Sequence, residues 1–456
     1  MRRCKDTLDI LIADLRAGSC TMASFNRHVL PTLFSLSFWS LSCLGQTLRY
    51  APPESVGLLP EPLRLMEKNI SDYTRSANYL YYTNYEEHPI QPGGSVVVGH
   101  DSAIVSEFAF GKAMLYADAN GTLLPEDEQT TAFIDTIYDM ASLTKVFTAT
   151  AALRLIEDGL LDYKKTVASY MPEFAANGKE NVTVLMLLTH TSGFPPDPEP
   201  GLWYNATLEE RRETAIRYPL ANAPGTTYTY SDLNFINTGF LLEKISGVPL
   251  DLLIYSITAP LGMTSTFYNR GDVEGPLFPF YPRIAPTEYE LEVQGQGPVE
   301  PQRPQPVHGT VHDENAWSLA GVSGHAGLFS TAPDLAKFCQ MILNNGTYNG
   351  IQILKPETIE LMFTNFNVDF PGDEHSIGFE LNQYYFSGPM ASMQTGGHTG
   401  FTGTTIVIDR PSNTFFVLLG HRVHPNRNWS NNNIARQALG YWVARSLGRD
   451  VTFPEL

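Results

Sequence analysis

Tyr138-Asp139-Met140-Ala141-Ser142-Leu143-Thr144-Lys145-Val146-Phe147-Thr148-Ala149-Thr150-Ala151-Ala152-Leu153-Arg154-Leu155-Ile156-Glu157-Asp158-Gly159 places a serine and a lysine three residues apart at the mouth of an apolar helix. Residues at that spacing share a helical face, with about 5–6 Å between Cβ atoms, so the Lys145 amine can reach the Ser142 hydroxyl. A serine hydroxyl becomes an effective nucleophile only when a neighbour takes its proton, and a lysine does so when desolvation or a nearby cation lowers its pKa. From Val146 to Ile156 only Arg154 is charged, and a helix apolar all round is a buried helix. Gly159 reads as its C-terminal stop. The pair then sits in the first turn, where the backbone N–H of Ser142 is free to face a substrate oxyanion. Taken alone, the tetrapeptide fits equally well an N-cap serine followed by a surface lysine.

The chain has 456 residues, 43% of them hydrophobic, long enough for one large domain or two ordinary ones around a sizeable core. A formal charge of -18, a pI near 5.0 and the lack of any Lys/Arg cluster argue against a nucleic-acid partner. Residues 1–45 read as a leader: a mixed-charge stretch from Met1 to Cys20, then Met22, the basic pair Arg27 and His28, and an apolar run from Val29 to Leu44. This resembles a secretory signal and predicts a secreted, extracellular protein, with membrane association only if the leader stays uncleaved. Glycosylation acceptors at Asn69, Asn120, Asn181, Asn205, Asn345 and Asn428 agree with that compartment. Cys4, Cys20 and Cys43 fall in the leader, which leaves Cys339, so neither a disulfide framework nor a cysteine metal site is expected. No GxGxxG or Walker pattern is present, and no cofactor or metal is expected.

In chain order, Pro62 to Tyr79 has helical spacing, and Gly93 to Phe110 reads as a β-hairpin with strands Ser95–Val98 and Ala103–Phe108 around a His100-Asp101 turn. A region without strand signals follows, from about 165 to 300, containing a helix over Phe235–Ile245 and two Pro-rich loops. Strands return at Ser376–Leu381, Gly403–Ile408 and Phe415–Gly420, after a helix over Ala332–Asn344 and before a closing helix over Asn432–Leu447. Strands, then helices, then strands imply an α+β fold: an antiparallel β-sheet flanked by helices, with a large helical insertion, in one domain spanning 53–450.

Two further motifs carry chemistry. Tyr228-Thr229-Tyr230-Ser231-Asp232 offers a phenol at a helix start. Gly396-Gly397-His398-Thr399-Gly400-Phe401-Thr402-Gly403 opens a strand whose glycines let backbone approach a ligand. Ser142-x-x-Lys145, Tyr230-x-Asp232 and His398-Thr399-Gly400, in that order, resemble the penicillin-recognising serine hydrolases, which include class C β-lactamases, DD-carboxypeptidases and related esterases. Gly309–Ala316, Gly321–Ser330 and His421–Pro425 resemble the penicillin-binding protein 4B branch, a D-alanyl-D-alanine carboxypeptidase type. The resemblance implies a β-lactamase/transpeptidase-like fold and an acyl-enzyme on Ser142. It makes Lys145 the proton partner, Tyr230 the general base and acid, and the N–H groups of Ser142 and Phe401 the oxyanion hole. Asp232, His398, Thr399, Gly400 and Phe401 would bind a small-molecule or peptide substrate: a D-amino-acid peptide, an ester or a β-lactam.

Two departures bear on the substrate. Asp232 replaces an amide donor by an acceptor, and His398 replaces a lysine, so carboxylate recognition would require the imidazolium and depend on pH between 5 and 8. His312, Asp313 and His325 could be drawn as metal ligands or, with Ser323, as a triad. Lacking the closing glycine of a nucleophile elbow, they are expected to be structural, as is His190, at a helix end or in a loop. The competing reading is a catalytically silent relative used as a binding scaffold, against which stands the retention of Ser142, Lys145 and Tyr230 together.

Overall fold

Runs such as Ser95–Val98 and Phe415–Leu419 are apolar at consecutive positions because the sheet they build is covered on both faces. The computed structural model describes residues 47–271, 278–289 and 302–455, so the leader and part of the second Pro-rich loop lie outside the described residues. The main sheet contains β1 (Arg49–Tyr50), β2 (Gly93–His100), β3 (Ala103–Met114), β4 (Glu380–Leu381), β5 (Thr395–Thr399), β6 (Thr405–Asp409) and β7 (Thr414–Gly420). Their spatial order is β1-β3-β2-β7-β6-β5-β4, with Thr130–Thr131 added alongside β3. Both ends of the chain therefore build one sheet. All pairings are antiparallel except the edge pair β1 with β3, which is parallel, so the sheet is mixed at that one edge.

Along β7, Phe415, Val417 and Leu419 join a core containing Val146, Phe147 and Leu153, while Phe416 and Leu418 face Met66, Ile70 and Leu439 on the other side. The second face is covered by α1 (Pro60–Asp72) and the closing helix Asn433–Ser446, tied by Trp442 Nε1 donating to Asn69 Oδ1 at 2.9 Å. The first face carries α2 (Thr144–Glu157), α3 (Asp232–Ser246) and α4 (Ala332–Leu343); the closing helix is α5. In α2 every residue from Thr144 to Leu153 is buried, as its composition requires, and Gly159 ends it at φ 69° with its N–H on the Ile156 carbonyl.

The structure differs from expectation in four places. The first helix stops at Asp72, because Tyr73 and Thr74 close a turn onto Ile70 and Ser71, and the chain then pairs Ala77–Asn78 with Glu87–His88. The strand expected over Ser376–Leu381 shrinks to Glu380–Leu381, because Ser376 and Phe379 bond across a turn in which Gly378 has φ 104°. The His398 motif closes β5 rather than opening a strand. Within the helical region Phe267–Tyr268 is a short strand; it pairs with Leu328–Ser330, which also pairs with Tyr138–Asp139 and so fixes the approach to Ser142.

Candidate active site

Ser142 lies in a 3₁₀ turn, Ala141–Leu143, that runs directly into α2. Ala141 is held at φ 46°, a left-handed conformation that a non-glycine residue adopts only under constraint. The constraint is Asp139, whose buried carboxylate accepts the Ala141 N–H at 2.8 Å and the His312 N–H at 2.6 Å. Burial pushes the Asp139 carboxyl up, and these two N–H donors pull against it.

Lys145 is fully buried, with Nζ 2.8 Å from Ser142 Oγ. The same Nζ is 2.7 Å from Asp232 Oδ1 as an ion pair and 3.4 Å from the His325 carbonyl. Asp232 therefore faces the lysine from the first residue of α3, a placement that differs from the substrate-amide role the resemblance implies. The Tyr230 phenol lines the same cavity as Ser142, and Lys145 Nζ stands 4.8 Å from the Tyr230 ring centroid. Burial, then the Asp232 carboxylate, raise the phenol well above its ordinary 10, so it is a neutral O–H at physiological pH. His190 stacks on the Tyr230 ring at 4.5 Å, and its Nδ1 accepts the Ser231 N–H at 3.1 Å. It is a loop residue, as expected, and it also supports the phenol.

The glycine-rich motif approaches from the sheet. A Cβ on Gly400 would lie 2.0 Å from Thr404 Oγ1 and 2.4 Å from the Met140 carbonyl, so only glycine lets this turn lie against the residues before Ser142. Thr402 and Thr404 hydroxyls donate to the Asp139 and Met140 carbonyls at 2.7 and 3.0 Å. Buried Arg436 donates to the Gly400 carbonyl at 2.8 Å, and Arg422 to the Phe401 carbonyl at 2.8 Å. A trans peptide points its C=O and N–H in opposite directions, so pinning the Gly400 carbonyl also fixes the Phe401 N–H. Ser142, Tyr228, Tyr230, Glu380, Tyr385, Thr399 and Phe401 line a cavity of about 320 Å³.

His398 corrects one expectation. Its ring is buried, and burial together with the Lys145 cation lowers it to about 3, so it stays neutral across pH 5 to 8 and supplies no charge for a carboxylate. His325 is bonded through Nδ1 to Ser323 Oγ and through Nε2 to Asp313 Oδ1, both at 2.8 Å. Ser323 is buried, and the Lys145 ammonium already lies against Asp232 in the Asp232, Asp313 and His325 cluster, so these residues form an ion-paired support. Glycine is required at Gly324, where a Cβ would meet the Phe235 carbonyl at 2.1 Å. Sequence reasoning missed Glu380, Tyr385 and Tyr228. Of these only Tyr228 left a trace, lying two residues before Tyr230 on the same side of an extended segment.

A buried Ser-x-x-Lys pair with a facing phenol, set between a helical region and the edge of a sheet, defines a serine hydrolase. A family model described as Beta-lactamase matches residues 83–441, and the chain belongs to that family. It is similar to a "Putative D-alanyl-D-alanine carboxypeptidase" of Escherichia coli (strain K12), 33% identical over 420 residues that cover 86% of this chain and 91% of the relative. Among solved structures, the octameric penicillin-binding protein homologue from Pyrococcus abyssi superposes with TM-score 0.61 at 23% identity, covering 85% of this chain and 78% of that one. EstCE1, a hydrolase with promiscuous acyltransferase activity, gives 0.61 at 19% identity, covering 84% and 98%. These likenesses establish the β-lactamase/transpeptidase-like fold expected from the motifs.

Proposed function

We propose that Ser142 forms a covalent acyl-enzyme with a short peptide ending in D-amino acids or with a small ester, and that the protein works as a carboxypeptidase- or esterase-type hydrolase. The observation that carries this is the Lys145 Nζ at 2.8 Å from Ser142 Oγ, with the Tyr230 phenol lining the same cavity. Oγ bonds to the substrate carbonyl carbon and its proton passes to Nζ, while Nζ passes one to Asp232 at 2.7 Å; the buried pair holds the proton as one unit. The N–H groups of Ser142 and Phe401 take the oxyanion. When the tetrahedral centre collapses, the bond to the leaving group breaks and that group takes its proton from the Tyr230 hydroxyl, which is resupplied by the Lys145–Asp232 pair. Water then repeats the sequence on the acyl carbon and frees Ser142. Tyr230 therefore serves as a neutral relay. The names of the curated relatives support the peptidase side of this reading.

The test is burst-phase kinetics with a chromogenic ester together with intact-mass detection of an adduct on Ser142. Lys145→Ala should lower acylation by about 10³-fold or more, and adding Tyr230→Phe should cost little further, because groups acting as one unit lose activity non-additively. Undiminished turnover in Ser142→Ala, or an adduct on Ser323, refutes the assignment.

We further infer secretion and glycosylation. Asn120, Asn181, Asn345 and Asn428 are exposed, whereas Asn69 and Asn205 are half-buried with side chains bonded to Trp442 and to the Leu202 carbonyl. No helix among the described residues is long and apolar enough to cross a membrane. Mass spectrometry of protein from its native source should find glycans on the four exposed asparagines and no peptide before about residue 46; an unmodified full-length chain refutes both.

A further inference from the structure

The cavity beside Ser142 is lined by a carboxylate and by no lysine or arginine. That carboxylate is Glu380, on β4 directly opposite Gly397 of β5, and it is buried without a basic partner in contact. The Tyr385 hydroxyl lies 2.9 Å from each of its oxygens, but one hydroxyl carries one proton, so acceptor capacity is left over facing the cavity. The nearest basic atom, His398 Nε2, is 3.9 Å away. His398 Nδ1 lies 2.8 Å from the Thr399 carbonyl, so the neutral ring donates from Nδ1 and leaves Nε2 a bare acceptor; that buried Nε2 has no hydrogen-bond partner. His398 Nε2 thus offers Glu380 no proton, which leaves Tyr385 as its hydrogen-bond donor among the described residues. Arg422 and Arg436, the cations behind this wall, direct their guanidinium groups to backbone carbonyls, and Lys145 is engaged with Asp232.

We propose, on the reading that Ser142 acylates, that this cavity selects acyl substrates carrying an ammonium group and that Glu380 reads that group, which narrows the proposed function toward its ester side and away from peptides with a free terminal carboxylate. Burial raises the Glu380 carboxyl to about 7, so at pH 8 it is ionised; a carboxylate entering the cavity would meet that charge, whereas an ammonium brings N–H donors to its remaining acceptor capacity. The net charge of -18 favours the approach of cationic substrates in the same direction. The selectivity is the opposite of what a lysine in the place of His398 would give.

The experiment compares p-nitrophenyl esters of 6-aminohexanoate, heptanoate and adipate, each kcat/KM divided by the uncatalysed rate of the same ester, at pH 8. In the wild-type protein the ammonium ester should exceed the carboxylate ester by about 10-fold or more, with heptanoate between them. Glu380→Gln should compress that ratio to within about 3-fold, and Glu380→Asp should retain part of it. A ratio near one, or a preference for adipate, overturns the inference, and so does a ratio that Glu380→Gln leaves intact. If Glu380→Gln does not fold, the wild-type ratio decides alone. Heptanoate hydrolysis that survives Ser142→Ala, or no hydrolysis of any of the three esters, overturns the acyl-enzyme reading instead. Ser142-dependent hydrolysis without charge preference overturns only the role of Glu380.

Discussion

Gly400→Ala probes the joint on which the site is assembled. The added Cβ would sit 2.4 Å from the Met140 carbonyl, and real contacts do not close below 3.0 Å, so the turn and the strand before Ser142 must part by about 0.6 Å. Thr404 Oγ1, 2.0 Å from the same Cβ, has to leave too, and with it goes its 3.0 Å bond to the Met140 carbonyl. Overpacking of this kind costs about 1–3 kcal/mol of stability. The effect on catalysis should be larger, because the displaced turn carries the Phe401 N–H while Met140 stands two residues before Ser142. A misplacement approaching 1 Å lowers rate by about 10²-fold. The assay is kcat/KM on p-nitrophenyl heptanoate, with urea unfolding in parallel. The expected outcome is a loss of about 10²-fold with the folded state retained. Activity within about 3-fold of wild type would mean that the turn is not held against Met140 as described, and the argument for Gly400 and for the placement of the Phe401 N–H would fail together.

Asp139→Ala should destabilise by about 2–6 kcal/mol in urea unfolding, since it leaves the Ala141 and His312 N–H groups without their buried acceptor, at about 1–3 kcal/mol each; an unchanged midpoint refutes the role given to Asp139 in holding the Ala141 turn. His398 should show no imidazole titration between pH 5 and 8 in NMR of histidine-labelled protein, with its signal assigned by loss in His398→Asn, because burial and Lys145 hold it at about 3; a midpoint near 6.5 would restore the imidazolium reading. The urea midpoint should be lower at pH 5 than at pH 7. His375, His398 and His424 are depressed to about 4, 3 and 4, so the unfolded chain takes up their protons first, and stability that is complete above about 6.5 is lost as pH falls toward the folded values, about 2 kcal/mol each at pH 5. His190, His308 and His421 are shifted the same way, whereas His312, His325 and the carboxyls of Asp139, Asp197 and Glu380, the last two at about 7, are raised and act oppositely; the six depressed histidines are expected to outweigh these five groups, and equal midpoints at the two pH values would overturn this balance.

By itself the sequence determined what short-range geometry decides. The three-residue spacing of Ser142 and Lys145 fixes their contact through the helical period alone, and the apolar run after them fixes the burial of α2, because a helix without a polar face has only the interior to occupy. The order of the three motifs pointed to the family, and Gly400 pointed to a close approach of backbone. Tertiary structure alone decided which groups face that pair. Asp232 reaches Lys145 from a helix 87 residues along the chain, and Glu380 enters the cavity only because Gly378 turns the chain into a two-residue edge strand beside β5. Nothing local encodes such meetings, since they depend on which helix faces lie together and on strand register. The protonation states follow the same division. His398, His190 and Tyr230 have ordinary affinities for protons as free side chains, and it is burial beside one lysine and several carboxylates, a property of the assembled core, that keeps all three neutral.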